Sequence, residues 1–236
     1  EEGGFDPMDK CKFVAGHSLG EYSALAAAGS FTVAETAMLL RARGRAMQQA
    51  VPLGEGAMAA LLGVDLPVAA EIAREAAQGD VCAPADDNAP GQVVLSGHAA
   101  AIDRAVEIAP DKGARRAMLL QVSAPFHCSL MKPAADAMAE ELSHVPPGAP
   151  RVPLVANVTA SAVSDGKTIG DLLIEQVTAM VRWRESCTYM KEHGVDTLVE
   201  IGSGKVLSGL ARRIDSELTG VAVNTPADIE GLIRSL

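Results

Sequence analysis

Hydrophobic and polar positions along this chain follow two periods, one suited to short buried strands and one to amphipathic helices. Lys12-Phe13-Val14-Ala15 reads as a short buried strand. A helix is predicted from about Glu21 to Ala28, stopped by Gly29. Thr32 and Glu35 form a T-x-x-E capping box, which predicts a second helix running to about Ala50, ahead of Pro52. At 100° per residue Leu39, Leu40, Met47 and Ala50 share one face of that helix, with Arg43 at its centre. Arg41 and Arg45 point to solvent, and Met38 is an apolar exception on their side.

The pattern changes near residue 55. A strand over 56–64 precedes a helix that starts at Asp65 and Pro67 and ends at Gly79. Val81–Ala83 and Gln92–Ser96 read as strands around the turn Asp86-Asp87-Asn88-Ala89-Pro90-Gly91. A helix over 99–108 and a strand over 116–122 complete the order β-α-β-β-α-β. Strand–helix alternation then resumes. Helices are expected near 129–143, 169–178, 183–192 and 206–213 and at the C-terminus, with strands near 152–156, 195–201 and 221–223. The expected fold is α/β, with a mostly parallel core sheet over 1–52 and 124–236 and an inserted ferredoxin-like (βαββαβ) subdomain over 53–123.

Composition narrows the function. Twenty Lys and Arg against thirty Asp and Glu give a net charge of −10, with no basic run, which argues against a nucleic-acid partner. No apolar stretch approaches a membrane span, and Glu1-Glu2-Gly3-Gly4 does not read as a signal peptide. Four cysteines, at 11, 82, 128 and 187, form no C-x-x-C pair. That scatter suits a reducing cytoplasm and points to no metal or cofactor site.

Gly16-His17-Ser18-Leu19-Gly20 fits G-x-S-x-G between a strand and a helix. Such a turn, found in α/β-hydrolase-like cores, lifts a serine hydroxyl off the strand end and aims the next amide, here that of Leu19, at a developing oxyanion. Serine needs a base. There are five histidines: His17 adjoins the serine, His98 and His193 sit in turn-like contexts, His144 precedes a proline loop, and His127 lies in a loop just after a predicted strand, where catalytic residues gather, so the base is open between His127 and the other four. Arg43 on an apolar face needs a partner, either a structural carboxylate or a carboxylate on a substrate. Gly202-Ser203-Gly204-Lys205 lacks the spacing of a phosphate loop and reads as a strand-to-helix turn. Lys112, Arg115 and Arg116 make a small basic cluster that could receive an acidic protein partner.

Taken together these residues resemble the malonyl-CoA:acyl carrier protein transacylase family. The resemblance runs in order along nearly the whole chain. It includes the extended elbow from Gly16 to Leu25, Arg43-Gly44-Arg45-Ala46-Met47, Asn88-Ala89-Pro90-Gly91-Gln92 and Pro125-Phe126-His127. It continues through Met131-Lys132-Pro133, Asn157-Val158, Val181-Arg182-Trp183 and Gly204-Lys205-Val206-Leu207. It implies that Ser18 attacks malonyl-CoA with His127 as base and the Leu19 amide as oxyanion donor, and that Arg43 holds the malonyl carboxylate. It further implies that a main-chain carbonyl at Gln176 orients the histidine, that Phe126 favours unbranched malonyl, that Asn157 belongs to the substrate site, and that acyl carrier protein takes the acyl group.

The chain departs from the family pattern at Asp86, where Asn is usual, and at Met180 and Ser203, where Pro is usual. Roughly eighty residues, holding the first core strand and a G-Q-G-S-Q motif, precede the matching region in family chains. The resemblance therefore implies a fragment, or a segment supplied by another chain, with unpaired sheet edges and bare apolar surface. Two other functions fit part of the pattern: a serine thioesterase or hydrolase on the same elbow, and a non-catalytic fragment that only binds the carrier.

Overall fold

In the computed structural model, residues 6–235 are described; Glu1-Glu2-Gly3-Gly4 lies outside them. Helices α1 (Leu19–Ala27) and α2 (Val33–Gln49) come first. The capping box on α2 is complete: the Glu35 N–H donates to Thr32 Oγ1 at 3.2 Å and the Thr32 N–H to Glu35 Oε2 at 2.7 Å. Leu39, Arg43 and Met47 are buried and Met38 is 59% exposed, so the face expected from the 3.6-residue period is the face that packs.

Next come β1 (Gly56–Leu62), α3 (Leu66–Ala77), β2 (Cys82–Ala89), β3 (Gln92–His98), α4 (Ala99–Ile108) and β4 (Arg116–Leu119). Their strands form an antiparallel sheet in the order β2-β3-β1-β4. Side chains alternate across it. Ala59, Leu61, Val93 and Leu95 pack with Ile72, Ala73, Ile102 and Ala105 of the two helices. Met58, Ala85 and Val94 form a smaller cluster on which Phe126 packs, which turns this second face toward the rest of the molecule.

One expectation fails here. Asp86, Asp87, Asn88 and Ala89 are not a turn but the end of β2, and only Pro90-Gly91 separates it from β3. The register slips between Pro84 and Asp86 and again between Asp87 and Ala89. Such bulges re-aim side chains while pairing continues. Asp87 N–H also donates to Val181 O at 3.0 Å and Val181 N–H to Ala85 O at 2.8 Å, which ties the small sheet to the segment before Trp183.

The rest of the chain forms α5 (Lys132–His144), β5 (Leu154–Val155), β6 (Ala162–Val163), α6 (Gly166–Gln176), α7 (Trp183–Glu192), β7 (Thr197–Ile201), α8 (Val206–Ile214), β8 (Thr219–Val223) and α9 (Pro226–Ser235). Tyr22, Leu25, Leu39, Met138, Leu154 and Leu173 form one apolar core. Val155, Val181, Trp183, Cys187, Leu210 and Leu218 form another.

Parallel pairing is sparser than expected. Lys12–Ala15 contributes a single parallel bridge, Val14 to Leu154, and β7 pairs with β8 in parallel, whereas β5 and β6 are antiparallel. Among the described residues Val14 and β7 do not pair with each other, so the core sheet stands in separate pieces. Val199 and Ile201 on β7 are 38% and 69% exposed. No helix of the described residues is long and apolar enough to cross a membrane.

Candidate active site

The elbow is built by close approach. A Cβ on Gly16 would lie 2.0 Å from the carbonyl carbon and oxygen of Gly20, so only glycine fits there. Gly20 itself faces open space, so contact requires only the first glycine of the pattern. Ser18 caps α1 with φ 50° and ψ −108°, a conformation L-residues rarely hold. Leu19 is the first residue of α1, where an N–H has no acceptor within the helix.

Ser18 Oγ lies 2.7 Å from His127 Nε2, and His127 Nδ1 lies 2.9 Å from the main-chain oxygen of Gln176. The carbonyl can only accept, so Nδ1 carries the proton and Nε2 is free to accept one from the serine. His127 is 4% exposed and also has a positive φ, 58°. Burial pushes its pKa down to about 4, against the opposing pull of the Asp86 carboxylate, so the ring is neutral at ordinary pH. Both members of the pair are held by strained backbone, and the base is poised unprotonated.

Arg43 reaches the same hydroxyl from α2. Its Nη2 donates to Ser18 Oγ and to Gln176 Oε1, each at 2.9 Å. The guanidinium is 5% exposed and sits 5.9 Å from the Tyr22 ring centroid. No carboxylate among the described residues lies within ion-pair distance of it, and its buried Nε has no acceptor. A structural salt bridge, one of the two readings of Arg43, is therefore not what is observed.

Gln176 does more than lend its carbonyl. Its Nε2 donates to Ser18 O at 3.0 Å, to Asn157 Oδ1 at 3.3 Å and to Glu21 Oε2. Glu21, 1% exposed, has its pKa raised to about 8 by burial, which outweighs Gln176, Asn157 and Arg43. Asn157 lies in the same cluster. It is fully buried, with Nδ2 donating to Gly16 O at 2.7 Å and Oδ1 accepting from Ser18 N–H at 2.8 Å. Both the nitrogen and the oxygen of its amide bond the elbow. Phe126, next to His127, is half-buried between the main core and the second face of the small sheet.

The other histidines are used elsewhere. His98 Nδ1 accepts from Val81 N–H at 2.9 Å, His193 lies against Tyr189 O, and His144 sits in the last turn of α5. His17 Nε2 donates to Asn88 Oδ1 at 2.9 Å and lies 3.7 Å from Asp86 Oδ1. The basic cluster is smaller than expected, because Lys112 is paired with Glu71 and Glu75 at 2.8 Å each. Arg115 and Arg116 remain exposed. Gly202 and Gly204, at φ 136° and 104°, form the turn from β7 into α8. Among the described residues no cluster of three or more His, Cys, Asp and Glu could hold a metal ion.

The structure brings Ser18, His127, Arg43 and the Gln176 carbonyl that the resemblance implied to one place, with Leu19 next in the chain after Ser18. Sequence reasoning missed Glu21 and the Asp86–His17–Asn88 group. Glu21 follows the elbow directly on the first turn of α1, which was its only local signal; the supposed turn hid the other group.

A hydroxyl held between a neutral imidazole and a buried guanidinium can be acylated on a site that welcomes a second negative charge. An acyl transferase domain model matches residues 10–221. The malonyl CoA-acyl carrier protein transacylase of Escherichia coli (strain K12) is 47% identical over 227 residues, which is 96% of this chain and 72% of that protein. The crystal structure of an acyl-carrier-protein-S-malonyltransferase from Bartonella henselae superposes with a TM-score of 0.96 at 53% identity, covering 99% of this chain and 74% of that one. A malonyl-transacylase in complex with a type II PKS acyl-carrier protein gives 0.93 at 41% identity, covering 95% and 73%. The chain belongs to the acyl transferase domain family and, within it, to the malonyl CoA-acyl carrier protein transacylases.

Proposed function

We propose that the chain moves a malonyl group from malonyl-CoA to the phosphopantetheine thiol of acyl carrier protein, in fatty acid biosynthesis, through a malonyl-serine intermediate. The observation that carries this reading is the double contact at one oxygen: Ser18 Oγ is 2.7 Å from His127 Nε2 and 2.9 Å from Arg43 Nη2. Ser18 gives its proton to His127 Nε2 as Oγ attacks the thioester carbonyl. The Leu19 N–H receives the oxyanion. On collapse the C–S bond breaks and CoA leaves as a thiol, taking the proton from His127. The carrier thiol then attacks the malonyl ester, its proton passes to His127, and Ser18 recovers it as the ester bond breaks.

Arg43 holds the distal malonyl carboxylate, for which its unpaired Nε offers one donor. Phe126, between the core and the small sheet, limits substitution next to the thioester. Asn157 and the Gln176 side chain keep the elbow in its strained form. The hydrolase reading loses support because His127 Nδ1 faces a carbonyl rather than a carboxylate.

The same proposal covers the architecture. The strand order β2-β3-β1-β4 and its separate apolar cluster support a ferredoxin-like subdomain over 53–123, inserted in an α/β-hydrolase-like core over 1–52 and 124–236. Arg115 and Arg116 are the carrier-facing charges. Four free thiols support a cytoplasmic setting. The test compares donors. Arg43→Ala should lower malonyl transfer about a hundredfold or more while affecting acetyl transfer far less. Equal loss for both donors, or none for malonyl, would refute the carboxylate clamp.

A further inference from the structure

Two helices of this chain begin with the same S/T-x-x-E spacing, and only one of them uses it as a cap. Thr32 and Glu35 close a complete capping box at the start of α2. Ser18-Leu19-Gly20-Glu21 has the same spacing at the start of α1, yet Ser18 makes no side-chain cap. Its hydroxyl meets His127 and Arg43, and its N–H donates to Asn157 Oδ1 at 2.8 Å. The Glu21 carboxyl, left out of any box, turns inward and accepts from Gln176 Nε2. Burying a carboxyl is costly, and this one is spent on the side chain that also bonds Arg43.

We infer that Glu21 is a positioning residue of the acyl-transfer site, fixing the Gln176 amide so that its oxygen holds Arg43 against the Ser18 hydroxyl. The inference rests on the malonyl-transfer reading. Gln176 Oε1 accepts from Arg43 Nη2 at 2.9 Å, and the same Nη2 donates to Ser18 Oγ at 2.9 Å. A glutamine amide turns freely about its last torsion unless both of its ends are bound. The oxygen end is bound to Arg43. At the nitrogen end one N–H faces Ser18 O at 3.0 Å, and the second needs another acceptor. Glu21 supplies it. The alternative, Asn157 Oδ1, is 3.3 Å away and already accepts from the Ser18 N–H. Without Glu21 the buried N–H is left with that longer contact, which draws the amide toward Asn157 and away from Arg43.

Charge matters as well as position. Burial keeps the Glu21 carboxyl protonated at neutral pH. It therefore adds no negative charge to compete with a substrate carboxylate for the guanidinium. The chain of contacts runs from Glu21 through Gln176 to Arg43 and moves no proton.

The test measures single-turnover acylation of Ser18 by malonyl-CoA and by acetyl-CoA, which lacks the distal carboxylate. Glu21→Leu removes the acceptor, and Glu21→Gln keeps a neutral one. Gln176→Leu removes the link to Arg43 while its main-chain carbonyl still faces His127. Glu21→Leu should lower the malonyl-to-acetyl rate ratio about tenfold, and Glu21→Gln less than about threefold. Gln176→Leu should lower the ratio as Glu21→Leu does, and the double variant should lower it no further. Both rates falling together in Glu21→Leu, with the ratio unchanged, would make Glu21 merely structural and overturn the inference. So would a double variant whose loss is the product of the two single losses. If Glu21→Leu does not fold, hydrogen exchange of the Gln176 side-chain amide in the unaltered chain decides, read by NMR and assigned with Gln176→Leu. Protected protons are expected, and exchange as fast as that of an exposed glutamine would overturn the inference. Failure of the unaltered chain to acylate with either donor would instead count against the malonyl-transfer reading, and the same exchange measurement would still decide the contact made by Glu21.

Discussion

Ser18 and His127 share an unusual backbone, with φ of 50° and 58°. Neither is glycine, and each residue must be held there by its surroundings. Asn157 bonds the elbow on both sides of His17, at Gly16 O and Ser18 N–H, and Gln176 contacts His127 through its carbonyl and the elbow through its amide. Glu21 sits in the same cluster with a raised pKa, and this has a sign that can be worked out. From pH 4.5 to about 8 the unfolded carboxyl is ionised while the folded one keeps its proton, so the folded state loses stability as pH rises. Glu21→Gln should therefore gain Tm relative to the unaltered chain as pH is raised from 5 to 8.5; thermal melts across that range check it, and a constant difference would contradict it. His127 works in the opposite direction. Its depressed value costs stability as pH falls from 6.5 to about 4 and costs none above that. Most of the residues that meet at the Ser18 hydroxyl were legible in the sequence, because Ser18 has a local motif and Arg43 stands out on an apolar face. Glu21 and Asp86 were not, because their significance lies in burial by distant segments, Gln176 and Val181 among them.

At the scale of elements, α2 shows how far local chemistry reaches. Its capping box, apolar face and single buried charge all follow from residue spacing, and each is present in the structure. Thr32→Ala removes one half of the cap and should lower Tm by about 2–4 °C without altering acylation of Ser18. A change in acylation rate would mean that the α2 entry also sets the Arg43 position. Strand β2 shows the limit. Its run Asp86-Asp87-Asn88 has the composition of a turn, yet tertiary pairing with β3 and Val181 keeps it extended. The same override carries Asp86 and Asn88 to His17. The strand expected at Lys12–Ala15 from its apolar run is a single bridge at Val14, because a strand is only as long as its neighbours allow.

The whole molecule combines a net charge of −10 with a local basic remnant at Arg115 and Arg116, and places a buried guanidinium beside the Ser18 hydroxyl. Most of the order of elements was legible, including the β-α-β-β-α-β run of β1 to β4, because helix and strand periods differ so clearly there, whereas the two-residue β6 was too short to show in the pattern. How far the core sheet extends was not legible, since its pieces are set by contacts between segments far apart. The central claim concerns chemistry rather than architecture: Ser18 accepts malonyl from CoA. Intact mass spectrometry after brief mixing with malonyl-CoA, with Ser18→Ala alongside, tests it most directly. One malonyl adduct on the unaltered chain and none on the variant is the expected result. An adduct that persists in Ser18→Ala, or no adduct on the unaltered chain, would contradict it.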